Sequence, residues 1–290
     1  MFTRSLICTD FSDSLDRLTR FVPQLAHGGL RQIVFVHSVP LWEGGQIPHI
    51  DEEKVEKAKV RLNEALSDIP EGIEVIVETP SGRPVDTLPK LVGKYQSEVV
   101  ITGSSIRNLL QEKVAGSTTL ELTRLTATPL MILRPQLIST YRSPELALRC
   151  ENLWSYLLIP YNDGDTARYL LDRVKNCLEK SQQGTSTQCM LLWVVDDGQK
   201  NIPVEYRIQE AEQKLAAAKV ELEALGVAVQ TQVRTGTPFL EIIKTAGEFD
   251  ISAIATSHLT RGALLDWTVP SIANEILRRS WFPVLFFPPR

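Results

Sequence analysis

Residues 103–118 read GSSIRNLLQEKVAGST, with a glycine at one end and a Gly-Ser-Thr triplet beginning thirteen residues later. Glycine lets a backbone approach a bound group closely, and amides and hydroxyls at a helix start donate to anions. Arg107 adds a guanidinium that can pair with a phosphate oxygen. The chemistry such a segment could perform is phosphate binding through Gly103, Arg107, Gly116, Ser117 and Thr118. Each residue also has a plain structural use. A glycine serves a tight turn, a serine caps the helix that follows it, and an arginine closes a salt bridge.

A carboxylate stands at the end of another apolar run, in LICTDFSDS (6–14). Asp10 either helps to cap the following helix or offers an acceptor to a ligand. Other chemistries find little support. His27, His37, His49 and His258 are scattered without zinc-ligand spacing. There is no lysine-bearing phosphate loop, no nucleophile elbow and no carboxylate pair at a readable spacing, so the chain is expected not to be an enzyme. Cys8, Cys150, Cys177 and Cys189 form no CxxC pair and are expected to be reduced.

The formal net charge of −4 over 290 residues gives no reason to expect a nucleic-acid partner. A hydrophobic share of 43% with 23% charged residues is ordinary for a globular protein long enough for two domains. No apolar run approaches the roughly 18 residues of a membrane helix, and MFTRSLICTDFSDS has no signal-peptide core, so a cytoplasmic protein without a membrane partner is expected.

The positioning elements come in two copies. With an offset of 154 residues, Gly82 and Pro84 fall on Gly236 and Pro238, Thr102 on Thr256, Arg107 on Arg261 and Ser117 on Ser271. Glu121, Arg124, Pro129 and Pro135 fall on Glu275, Arg278, Pro283 and Pro289. A period this long means two domains, not a solenoid.

In the first copy, strands are predicted at 5–9, 33–39, 73–79, 98–102 and 129–133, with helices from the DFSDS turn to His27 and over 51–69, 84–95 and 112–125. In the second, strands fall at 156–160, 189–195, 227–233, 251–255 and 283–287, with helices near 165–180, 203–225, 238–248 and 268–279. Apolar strands alternating with helices predict an α/β fold with parallel sheets covered on both faces. The domains are read as 1–135 and 152–290. Residues 136–151 fit neither pattern and are read as a linker.

Three segments carry a family resemblance. They are LICTDFSDS, GRPVDTL (82–88), and GSSIRNLLQEKVAGS followed by a Thr-Pro-Leu strand start. In their order and spacing they resemble the universal stress protein family in its tandem two-domain form, over essentially the whole chain. The resemblance implies two flavodoxin-like doubly wound domains, each a five-stranded parallel sheet of order 3-2-1-4-5. It implies a stress-responsive regulatory or protective protein. Some members bind ATP, and others hold no nucleotide and act as structural or interaction modules. In the ATP reading, the crevice lies where strand order reverses, with Asp10 accepting from the adenine amino edge and Ser38 near the base. Ile106 departs from the family pattern, standing where its second glycine would be.

The second copy has lost the pattern. Gly103 becomes Ser257, Ile106 aligns with Thr260, and Gly116 becomes Pro270, which has no amide hydrogen. In YNDGD (161–165), Asn162 or Asp163 stands near the adenine position. An adenine nucleotide is therefore expected in the first domain only. The apolar segments 129–133 and 283–287 are expected to pair as sheet edges within the chain, as an intrachain pseudo-dimer, with a homodimer of two chains as a further level.

Overall fold

The computed structural model describes residues 1–42, 44, 47–104, 122, 126–180, 187–196, 203–258 and 271–289. The chain divides into two compact units, Phe2–Glu151 and Asn152–Pro289.

In the first unit, β1 (Arg4–Cys8), β2 (Gln32–Val36), β3 (Glu74–Glu78), β4 (Val99–Gly103) and β5 (Leu130–Leu133) form a parallel sheet in the order β3-β2-β1-β4-β5. The register is continuous across it. Ile7 of β1 lies opposite Phe35 of β2 and Ile101 of β4. All three are fully buried, as strands covered on both faces must be. The expected strands are all present, with ends that move by one to three residues.

The helices form for readable reasons. A 3-10 helix, Leu15–Phe21, leads into α1 (Val22–His27). In α2 (Glu52–Leu62), Asp51 caps the start by accepting from the Lys54 amide at 3.1 Å. The run expected to reach 69 ends instead in a 3-10 turn, Asn63–Leu66. Helix α3 (Pro84–Tyr95) opens on proline, whose missing N–H costs nothing in the first turn.

The Gly-x-Pro pair that repeats in sequence has one cause in both units. Gly82 and Gly236 take φ of +127° and +135°, conformations closed to most side chains. Their N–H groups donate to Val39 O at 2.8 Å and to Val195 O at 3.0 Å, tying each helix start to the end of the second strand.

Residues 135–151 are helical. Pro135–Thr140 form α4 and Ser143–Glu151 form α5, which buries Leu146 and Cys150 and packs on α1 within the first unit. Arg17 holds the segment from below, donating to the carbonyls of Ile138 and Tyr141.

The second unit repeats the topology. Its strands are β6 (Tyr156–Pro160), β7 (Gln188–Val195), β8 (Ala228–Thr235), β9 (Ala253–Ser257) and β10 (Val284–Phe287), paired in the order β8-β7-β6-β9-β10. Helices α6 (Asp165–Glu179), α7 (Val204–Glu223), α8 (Pro238–Glu248) and α9 (Ile272–Arg279) accompany them. Ala211, Leu215, Ala218 and Leu222 make the buried stripe of α7 at helical spacing. Both units thus have the flavodoxin-like order, and both place a topological switch between their first and fourth strands.

Among the described residues, no helix is long and apolar enough to cross a membrane. The four cysteines form no disulfide. Burial pushes the Cys150 and Cys189 thiols up to about 12 and that of Cys8 higher still, so none of these three is a ready nucleophile.

The docking of α5 makes a prediction. A Cβ at Gly28 would lie 2.7 Å from Glu151 O and 3.1 Å from Cys150 O, both backbone atoms. Gly28→Ala should destabilise the first unit by about 1–3 kcal/mol, the usual cost of overpacking. Amide hydrogen exchange should quicken over residues 143–151, and unchanged exchange there would count against the docking.

Candidate functional site

The switch between β1 and β4 opens a crevice at the carboxyl ends of the first sheet. Its first wall is the turn after β1. Thr9 is held by its N–H to Val36 O at 3.0 Å, and its hydroxyl donates to Asp13 Oδ1 at 2.7 Å. Asp10 Oδ1 accepts from the Ser12 amide and hydroxyl and from the Asp13 amide, at 2.8, 2.7 and 3.0 Å. This is an Asx turn, so Asp10 builds the loop without capping a regular helix. All three bonds use one oxygen, and Oδ2 of this exposed side chain keeps its accepting capacity.

The turn forces Phe11 and Ser14 to φ of +65° and +59°, left-handed conformations that are uncommon for such residues. Phe11 is repaid by contacts on both faces. Its ring stacks on His37 with centroids 4.0 Å apart and 19° between planes, and the Arg61 guanidinium lies 4.3 Å from its centroid. Arg61 is itself anchored, Nε donating to Asp16 Oδ2 at 2.9 Å. His37 Nδ1 donates to Thr9 O at 2.8 Å.

The second wall follows β2. His37 and Val39 donate their N–H groups toward β3, to Glu78 O at 3.1 Å and Pro80 O at 2.8 Å. Backbone alternation then turns the Ser38 amide the other way, over the end of β1. The Ser38 hydroxyl is bonded to Thr87 Oγ1 of α3 at 2.7 Å. Ser38 thus offers a ligand its backbone N–H, beside a hydroxyl held by Thr87 that keeps accepting capacity.

The third wall is the end of β4. A Cβ at Gly103 would lie 2.9 Å from Asp13 Cβ, 3.0 Å from Asp13 Oδ2 and 3.1 Å from Leu15 Cδ1. The room glycine leaves at this position is taken by the β1 turn. Asp13, which the sequence reading did not single out as a ligand group, is thus the carboxylate against Gly103. Its signal was its place two residues before Leu15, the first apolar residue of the helical segment, which turns it inward. Burial is the main influence on it and raises its carboxyl to about 6; the Thr9 hydroxyl and Leu15 amide oppose that rise, and Asp10 adds to it.

On the far side of the same wall stands Arg134, 2% exposed at the end of β5, its Nη1 3.3 Å from Ser104 O. Burial lowers the guanidinium to about 10. Of the remaining expected site residues, Arg107, Gly116, Ser117 and Thr118 lie outside the described residues, as does Ile106.

The same place in the second unit is filled differently. Asn162 Oδ1 accepts from the Gly164 amide at 3.2 Å, and Asp163 has φ of +57°. Asn162 therefore stands where Asp10 does, and Asp163 where Phe11 does. Asp163 accepts from Arg168 Nε at 2.9 Å and Nη2 at 3.0 Å and from Tyr161 OH at 3.1 Å, with Lys214 Nζ at 3.4 Å. The Arg168 bonds lead in holding its carboxyl down at about 2. Ser257, the counterpart of Gly103, is buried and donates to Phe287 O at 2.7 Å. Ser271 caps α9 by accepting from the Asn274 amide at 3.2 Å, the structural use foreseen for it. Thr260 and Pro270 lie outside the described residues.

Two doubly wound α/β repeats, each with a crevice at its first-to-fourth strand switch, define a class of tandem flavodoxin-like proteins. The family model described as "Universal stress protein family" matches residues 1–134 and 156–288, and the chain belongs to that family. A universal stress protein from Archaeoglobus fulgidus DSM 4304 is 19% identical, with 97% of each chain covered and a TM-score of 0.67. A putative universal stress protein from Pseudomonas aeruginosa UCBPP-PA14 is 14% identical over 98% of this chain and 93% of that one, with a TM-score of 0.56. A universal stress protein solved in complex with cAMP covers 47% of this chain and 99% of its own, at 15% identity and a TM-score of 0.35. The first two are likenesses of fold. None of the curated proteins matches the chain.

The Asp13–Gly103 contact yields two predictions. Gly103→Ala should cost about 1–3 kcal/mol of stability with or without ligand, read by chemical denaturation, because its Cβ meets Asp13 close to the backbone. The folded Asp13 value of about 6 lies above the ordinary 3.8, so the folded protein holds this proton more tightly than the unfolded chain. Its contribution is fully present below about pH 4 and is lost as pH rises through about 6. Asp13→Asn should remove that slope and raise stability at neutral pH by about 2 kcal/mol relative to wild type. Parallel stability curves for the two proteins between pH 4 and 7 would contradict it.

Proposed function

We propose that the chain is a stress-responsive regulatory or protective protein whose first repeat binds an adenine nucleotide and whose second does not. One observation carries this reading. In the first repeat the turn residue is Asp10, whose Oδ2 keeps its accepting capacity, whereas in the second it is Asn162, whose Oδ1 accepts from Gly164 and whose other side-chain atom is an NH2 donor, and Ser257 in place of Gly103 donates to Phe287 O. Asp10 would accept from the adenine amino group and Ser38 would meet the ring edge through its main chain. The phosphates would fall to the Gly103 end, with Arg107, Gly116, Ser117 and Thr118. ATP supplies the charge that such a segment can grip. The part assigned to the protein is binding, since neither repeat's sequence brings a lysine-bearing phosphate loop.

A second reading is favoured by Gly103, whose open side is filled by Asp13 and Leu15. In that reading the crevice is empty of nucleotide and the tandem repeats act as an interaction module.

Calorimetric titration with Mg-ATP, together with assay of the heat-released supernatant for adenine nucleotide, decides between them. The nucleotide reading expects saturable binding with one site per chain. It also expects Arg107→Ala to lose roughly 1.5–3 kcal/mol, about tenfold to a hundredfold in affinity, as one charge-assisted contact goes. No heat and no thermal shift at millimolar ligand would leave the interaction module standing.

A further inference from the structure

Three features meet at the Gly103 wall. The Asp13 side chain fills the space a Cβ would need, with Oδ2 3.0 Å from that point. Its other oxygen, Oδ1, is fixed by the Thr9 hydroxyl at 2.7 Å and the Leu15 amide at 3.0 Å, so the carboxylate cannot swing away without breaking the turn. The Arg134 guanidinium reaches the same loop from β5 by way of the Ser104 carbonyl. A fixed negative charge therefore stands on the side facing β1, and a buried positive one on the side facing β5.

Resting on the nucleotide reading above, we propose that Asp13 sets which charge state of a ligand this crevice accepts. It disfavours a bare anionic phosphate beside Gly103, and it admits adenosine or a nucleotide whose phosphates are neutralised by a divalent cation. The physical reason is Coulombic. Two like charges a few ångströms apart in a partly dry crevice repel far more strongly than in water. Asp13 is already poorly solvated, as its upward shift shows, and it sits close to Asp10 and the Cys8 thiol of the same strand end. A second anion adds to a charge that the protein solvates badly. The second repeat has no such arrangement, because Ser257 replaces Gly103 and Pro288 follows β10 where Arg134 follows β5.

The test is a set of calorimetric titrations of the full chain with adenosine, metal-free ATP (in chelator) and Mg-ATP, on wild type and Asp13→Asn. Asparagine keeps the Oδ1 acceptor for Thr9 and Leu15 while removing the charge. Thermal unfolding confirms that the variant is folded. Wild type should bind metal-free ATP at least tenfold more weakly than Mg-ATP. Asp13→Asn should narrow that gap to within about threefold while leaving adenosine within twofold of wild type. Arg107→Lys, which keeps the charge total, should not narrow it. Equal binding of metal-free and Mg-ATP by wild type overturns the proposal without recourse to any variant. So does an unchanged gap in a folded Asp13→Asn. Both results leave the nucleotide reading intact, whereas failure of every ligand to bind either protein overturns that reading and this inference together.

Discussion

The contact between the β1 turn and the end of β4 governs the first repeat's crevice. Parallel strands that neighbour each other but send their chains to opposite faces leave a gap at their carboxyl ends. Here the gap is narrowed by Asp13 and Leu15 lying against Gly103. To bring them there the turn holds Phe11 and Ser14 in left-handed conformations, a local cost of order 1 kcal/mol or more each. The cost is met by Asp10 and Thr9, which together gather five short-range hydrogen bonds, and by the His37–Phe11–Arg61 stack. Loosening any of these would move a carboxylate, a ring and a backbone wall at once.

Comparison of the repeats shows how one frame is put to two uses. Both units keep the Asx turn, the left-handed residue after it, and the glycine–proline helix start. What differs is the residue carried at the left-handed position. An aromatic ring there is stacked between a histidine and an arginine. A carboxylate there draws in Arg168, Lys214 and Tyr161 instead. The backbone is common property of the duplication, and the divergence lies in side chains projecting from it.

Much of this was legible in the sequence because two periodicities were strong and occurred twice. The helix over 84–95 and the strand over 156–160 are found at the residues expected. The strand expected at 251–255 runs over Ala253–Ser257, since the small and apolar residues of ISAIATS carry no clean alternation to fix its phase. Residues 136–151 were opaque for another reason. They lie outside the repeat, and their helices are short, so no second copy amplified a weak pattern. Asp13 was hidden because its importance is a distance to a residue ninety positions away, and propensity carries no distances. The Asn162 register resolves only when the φ of Asp163 is seen to match that of Phe11.

The helices Pro135–Thr140 and Ser143–Glu151 have a consequence for how the chain acquires structure. The unit that repeats in sequence and the unit that folds are not the same length. Leu146 and Cys150 cover α1, and Arg17 is satisfied only when Ile138 and Tyr141 are in place. A ribosome that has released residues up to the last strand of the first repeat has therefore not yet released a finished domain. Completion waits for Glu151 to emerge, so the first repeat closes late, with the opening strand of the second next to leave the tunnel.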